Sequence, residues 1–356
     1  MTALTPAELH RRIKQGEVVS ELNLNGLNLQ EYDLSGGIFQ DVSLTGANLQ
    51  GSNLKETVFT ECQLDQADLR QAKIEQTVFN QCEMSGLMAD DTSLSETVFN
   101  QCALTNSSFA RSTLLSTQFM QCPLVEAQFK QAQFDRCVFF ESVLDGTDFE
   151  GCKSLLTTFY SIDLRQTVLS AGEFERTVFF KCDQREKNYA QQRFTGCQFM
   201  DCALDKALFN GAQLSQCNFK GASLKAAQLN QVNASQALFM EADLTGAQCK
   251  GSLFDQAIFV GAVLKRTDFT GSRFFQSILQ QIKASQALFT RCDLTYSDFT
   301  AADISMADLR GATFSRTRMH RARLENAQFS GRQGILEFDE ELLAAEAWSA
   351  QRQSRS

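Results

Sequence analysis

The sequence predicts an all-β fold, a four-sided β-helix with a short helix at each end, and three observations carry that prediction. First, every fifth residue from Leu24 to Phe329 is apolar with few exceptions, and 51 of these 62 positions are Leu or Phe. Helices and strands repeat their side chains at 3.6 and 2.0 residues. A period of five therefore means one short straight step and one turn, repeated. Second, a period of 20 lies on top of the five. Phe39, Phe59, Phe79 and their successors run unbroken to Phe259, and the column five residues later is mostly Leu, as at Leu44, Leu64 and Leu104. Four fives per lap give four sides, with like residues stacked. Third, 16 of the 20 glycines fall two places after one of these centre positions, the mark of a turn that needs unusual backbone angles.

Each position of the five has a role. The centre is large and apolar. Two residues before it stands a small one, as in Ala47, Ser52, Thr57, Cys62, Ala67 and Ala72, because only a small side chain fits beside Leu or Phe in so narrow a section. The other three positions are mostly polar and face water. Copying is visible in Thr57-Val58-Phe59, Thr77-Val78-Phe79 and Thr97-Val98-Phe99. Coils stacked at a strand spacing of about 4.8 Å would make a rod of roughly 75 Å.

On these residues the chain resembles the pentapeptide-repeat family, whose loose Ala-(Asp/Asn)-Leu-x-x motif stands here as Ala47-Asn48-Leu49, Ala67-Asp68-Leu69, Ala242-Asp243-Leu244 and Ala307-Asp308-Leu309. The resemblance implies a right-handed, square-sectioned β-helix with centres and small residues inside. One continuous domain is expected: an N-terminal capping segment over 1–21, the repeat array over 22–331, and a C-terminal helix and tail over 332–356.

At the N-terminus Thr5-Pro6-Ala7-Glu8 reads as a capping box with Pro at the first helical position, and Leu9 and Ile13 supply an apolar stripe that stops near Gly16. After Phe329 the repeat stops, and Glu340–Trp348 reads as a short acidic amphipathic helix. An open β-helix exposes edges and an apolar cross-section at its ends. Both helices are accordingly expected as caps, and Leu342, Leu343 and Trp348 are candidates for cap contacts or for a homodimer contact.

Eleven of the twelve cysteines occupy the small inward position and Cys249 is a centre, which reads as buried thiols acting as small hydrophobes in a reducing compartment. With no apolar run of membrane-spanning length and no signal sequence, a cytoplasmic protein is expected. Centres fail at Ala89, Ser154, Gln184, Ala234, Cys249 and Ala284. Around Gln184, Lys187 and Gln192 fall on normally small inward sites. Burial of unpartnered Lys or Gln is costly, so this half-coil is expected to bulge, as a structural irregularity or as a binding loop through Arg185, Glu186 and Lys187.

Charge is uneven. Residues 1–100 carry 15 acidic and 6 basic residues, while the rest balances 27 against 27. Toward the C-terminus Arg310, Arg316, Arg318, His320, Arg321 and Arg323 fall at outward phases and read as a basic patch for an acidic partner. No Walker loop, GxGxxG, GxSxG or zinc-spaced cysteine pair occurs. No enzyme, cofactor or metal is expected, and neither direct nucleic-acid contact nor membrane contact. The expected function is a bacterial protein–protein scaffold or adaptor. Its capped N-terminal helix, uninterrupted array and short C-terminal helix are similar to pentapeptide proteins linked to type VI secretion. The alternative, implied by resemblance to quinolone-resistance members, is a DNA mimic acting on type II topoisomerase. Duplex DNA carries one charge per ~1.7 Å, far denser than the net −9 of this chain.

Overall fold

The computed structural model describes residues 4–353. These form a parallel β-solenoid of about 16 turns with two short terminal helices. Its backbone falls into two compact units, Met1–Asp183 and Gln184–Ser356.

The first unit opens with helix α1, Pro6–Lys14. The Thr5 side chain accepts the Glu8 N–H, Pro6 starts the first turn, and Leu9 and Ile13 are buried; of the expected capping box this is the Thr5 half, while the Glu8 carboxylate accepts from Arg11 and Arg12. The solenoid then begins earlier than expected, because Val18–Ser20 already pairs in parallel with Ile38–Gln40. Val19 lies one lap before Phe39 and is buried like it, so the first coil reaches into the predicted capping segment. From there a nine-stranded parallel sheet forms one side, each three-residue strand pairing with the one 20 residues later, Val98–Asn100 with Gln118–Met120 for example. An adjacent side carries the strands from Lys73–Glu75 to Glu173–Glu175. The remaining sides hold single bridges such as Ser43↔Gln63 and Asn48↔Asp68.

Stacking follows directly from the 20-residue period. Phe59, Phe79, Phe99 and Phe119 stack at 5.0 Å between ring centroids, close to the strand spacing. Each fully buried ring contributes about 1.5–3 kcal/mol. The small inward position is close to its size limit. At Gly37 a Cβ would lie 2.8 Å from the Phe39 ring.

At the corners the structure differs in degree from the sequence reading. The position two after the centre does take left-handed angles, yet 46 non-glycine residues adopt them there, Gln81 (φ 53°) and Gln101 (φ 52°) among them. Left-handed backbone costs an L-residue about 1–2 kcal/mol. Two bonds per corner offset it. The corner N–H donates to the next coil, as Gln81 to the Asn100 carbonyl at 2.8 Å. Where amides stack, side chains also join coils, Gln81 donating to Gln101, Gln101 to Gln121 and Gln121 to Glu141 at 3.3, 3.2 and 3.1 Å.

The second unit starts with Gln184, buried as a regular centre. Its N–H donates to the Ala203 carbonyl, and Glu186 does the same to Asp205, so the predicted bulge does not form. A polar triad replaces it, in which the Tyr189 hydroxyl donates to Gln184 Oε1 at 2.5 Å and Gln184 Nε2 reaches Cys202 Sγ at 3.7 Å. After Arg193–Thr195 the sides are joined by single bridges, such as Leu238↔Ile258. The stack continues past the predicted boundary at 331, since Thr317–Arg318 pairs with Ile335–Leu336. Helix α2 spans Glu340–Gln353.

Candidate docking surfaces

Three of the four sides of the first unit are charged. Asp65, Glu83 and Arg165 stand on one, Asp68, Arg70 and Lys130 on the next, Lys73, Glu75 and Glu173 on the third. The nine-stranded side is different, for none of its outward residues is charged. One outward column reads Ile38, Val58, Val78, Val98, Gln118, Val138, Thr158, Val178. The other begins with Ser20, runs through Gln40, Thr60, Asn80 and Asn100 and then turns apolar at Met120, Phe140, Tyr160 and Phe180. Phe140 and Tyr160 stack at 4.8 Å, Tyr160 and Phe180 lie 5.5 Å apart, and Lys181 Nζ sits 5.3 Å from the Phe180 ring centre. Since the rings lie against one another along the stack, their edges rather than their faces meet solvent. Sequence reasoning missed this side, although its signal was present in the outward Val of Thr-Val-Phe, a residue type out of place at a solvated phase.

The two ends differ. Under α1, Leu24, Leu29 and Leu34 are buried. Lys14 Nζ pairs with Asp33 at 2.8 Å, and the His10 ring hydrogen-bonds the Asp33 carbonyl at 2.7 Å. The Lys14 ammonium first, and then the Ser35 hydroxyl donating to Asp33 Oδ1 at 2.7 Å, hold the Asp33 carboxyl well below its usual range. At the C-terminus Phe314, Leu324 and Phe329 are only half-buried, Arg332 stacking on Phe329 at 4.5 Å. Helix α2 is not the predicted apolar cap. Leu342 (37% exposed), Leu343 (41%) and Trp348 (57%) face water, as does Phe338 (74%). What touches the solenoid is acidic. Glu346 pairs with Arg321 at 2.5 Å and lies 3.7 Å from His320 Nε2, while the Asp339 N–H donates to His320 Nδ1 at 3.2 Å. His320, expected on the surface, is therefore buried, because the chain after Leu336 returns across it.

The predicted basic patch is dispersed and neutralised. Arg310 and Arg323 stand on two different sides and Arg318 on a third, with Arg316 and Arg321 at corners. Arg310 pairs with Asp308 at 2.7 Å, Arg318 with Asp298 at 4.0 Å and Arg323 with Asp303 at 3.8 Å. Arg316 lies over the Tyr296 ring at 5.9 Å. The Arg310 guanidinium holds Asp308 below the usual carboxylate range. Farther back, Arg185 is exposed, Glu186 pairs with Lys206 at 3.0 Å, and Lys187 is half-buried, its pKa lowered by that burial. They sit on a regular coil and not on a loop.

All twelve cysteines are free and buried. Cys82, Cys102 and Cys122 occupy one column and donate to the carbonyls of Phe59, Phe79 and Phe99. Contact with the Cys102 thiol, together with burial, pushes Cys82 up to about 12, and burial pushes Cys122 up to about 11. Among the described residues no group of three or more His, Cys, Asp or Glu could hold a metal, and no helix is long and apolar enough to cross a membrane.

The pentapeptide-repeat profile matches in eight copies, spread over residues 20–61, 38–76, 62–101, 197–236, 242–281, 279–311 and 292–331. The chain belongs to the pentapeptide-repeat family. No curated relative matches the sequence. Among solved structures it is similar to HetL, a pentapeptide-repeat protein involved in heterocyst differentiation regulation from Nostoc sp. strain PCC 7120, at 18% identity over 79% of this chain and 95% of that one, TM-score 0.24. It is similar also to full-length QnrB1, a plasmid-mediated fluoroquinolone resistance protein, at 17% over 58% and 96%, TM-score 0.33. A third is Rfr23 from the cyanobacterium Cyanothece 51142, at 12% over 45% and 88%, TM-score 0.18. This pentapeptide-repeat chain devotes nearly all of its inward positions to packing, which leaves its outward sides and its ends to carry function.

Proposed function

We propose that this pentapeptide-repeat protein is a non-catalytic, cytoplasmic docking scaffold whose protein partner seats on its C-terminal end. The supporting observation is the set of exposed apolar residues there, Phe338, Leu342, Leu343 and Trp348, on an end whose Phe314 and Phe329 are only half-buried. Large apolar side chains left exposed together mark protein contacts. A homodimer through α2 would use the same residues. The buried free thiols support a reducing compartment. Within bacteria the finer reading is an accessory to type VI secretion, supported by the layout of capped helix, array and short terminal helix. Immobilised full-length protein should retain a component of that machinery from lysate, and Leu343→Glu with Trp348→Glu should release it. Recovery of chaperones alone, unchanged by those substitutions, would sink the reading.

The second reading, a DNA mimic acting on type II topoisomerase, draws on the acidic corners of the early coils, Glu21, Glu31, Asp41, Glu56 and Glu61. A gyrase supercoiling assay with and without quinolone decides it, because no effect at micromolar protein removes the mimic.

A further inference from the structure

The charge-free side of the first unit has a built-in gradient, and we infer from it that this side binds a second copy of the same chain, face to face and antiparallel. The outward column is small and polar at its start (Gln40, Thr60) and bulky and aromatic at its end (Tyr160, Phe180). A two-fold axis parallel to the strands, running between Val98–Asn100 and Gln118–Met120, reverses the copy and keeps each column opposite itself. Phe180 then lies over Gln40 and Tyr160 over Thr60. Bulky residues meet small ones along the whole strip, which is what isologous, self-complementary packing requires. A two-fold axis along the stack would instead give a parallel copy with the columns exchanged, so that Tyr160 and Phe180 would meet Thr158 and Val178 rather than the small residues at the start.

Charge at the rims favours the same arrangement. Reversal places Lys181, at the last corner, against Asp41 at the first, and both are exposed left-handed corners beside the apolar strip. Glu61 falls opposite Ser161, and Glu96 opposite Ser116, so no two carboxylates meet. The area is adequate for a weak dimer. In this register Val18–Ser20 stays outside the overlap, and the other eight strands, about 4.8 Å apart and three residues wide, give a footprint of roughly 350 Å², or on the order of 1,000 Å² of accessible surface over both copies, the lower limit for a specific interface.

Sedimentation of the full-length chain across a micromolar concentration series tests this. The expected result is a reversible monomer–dimer equilibrium with Kd on the order of tens of micromolar. Phe140→Glu with Tyr160→Glu, both outward and outside the core, should leave it monomeric with an unchanged circular dichroism spectrum. Asp41→Lys should weaken association about tenfold, and adding Lys181→Asp should restore it. Leu343→Glu on α2 should change nothing. A wild-type chain that stays monomeric throughout overturns the proposal. So does a dimer that survives the Phe140 and Tyr160 substitutions but is lost with Leu343→Glu, since the contact would then lie on α2. If the charge swap fails to rescue, the antiparallel arrangement is wrong.

Discussion

The Tyr189 hydroxyl donates to Gln184 Oε1 at 2.5 Å inside the core, one side of the solenoid away. The pair explains why a polar residue can take a centre position without disturbing the coil. Gln184 brings an amide into the interior, and Tyr189, the neighbouring centre, brings the hydroxyl that satisfies it.

Tyr189→Phe should therefore destabilise this coil by about 1–3 kcal/mol, the cost of a buried group losing its partner. Gln184→Leu combined with Tyr189→Phe should recover most of that loss, because both polar groups are then gone. Hydrogen exchange of the amides between Gln184 and Ala203 measures it locally. Equal protection in the single and double variants would refute the pairing account.

The raised thiols give a pH dependence. Cys82 near 12 and Cys122 near 11 stand above an unfolded thiol near 8.5. A raised pKa means that the folded chain holds its proton more tightly than the unfolded one. The contribution is complete below about pH 8.5 and is lost as pH climbs through the folded values. Stability should fall between about pH 9 and 12, and native protein should react with no thiol reagent at neutral pH until denatured. Rapid modification of native Cys82 would contradict this.

Acid should act on the other end. Asp33 is held low first by Lys14, then by Ser35, so its contribution is present above the unfolded value of about 3.9 and is lost as pH falls below it. Docking of α1 should loosen under those conditions, read as faster exchange at Leu9 and Ile13. Asp33→Asn should abolish that pH response while weakening docking at neutral pH.

At the C-terminal end, α2 is tied to the solenoid chiefly through Glu346. Glu346→Ala or Arg321→Ala should raise proteolytic cleavage between Phe338 and Glu346 several-fold, with no change in the melting of the coils. Leu342→Ala should not do so, because that side chain faces water.

Much of this fold was legible in the sequence because a one-dimensional repeat makes the same demand at every step. The inward phase of Leu and Phe, the small position beside it, the corner after it and the α1 cap all follow from local pattern. What misled was treating residue type as orientation. Lys187 and Gln184 suggested a bulge, yet Gln184 finds the Tyr189 hydroxyl on the neighbouring side and Lys187 stays half-buried on a regular coil. His320 and the arginines suggested a patch, yet the 20-residue lap sends Arg310, Arg318 and Arg323 to different sides, where Asp308 two residues back and Asp298 and Asp303 one coil away pair with them.

Sequence by itself determined the period, and with it the lap, the core and the stacking, since burial of sixty apolar centres leaves only one phase for the backbone to follow. Tertiary structure alone decided that outward Val, Phe and Tyr share one uncharged side, that α2 turns Glu346 inward and Trp348 outward, and that Arg318 and Arg323 find carboxylates one coil away. The reason is distance. A side chain twenty residues away is one coil off in space, and the chain must close its lap before such neighbours exist.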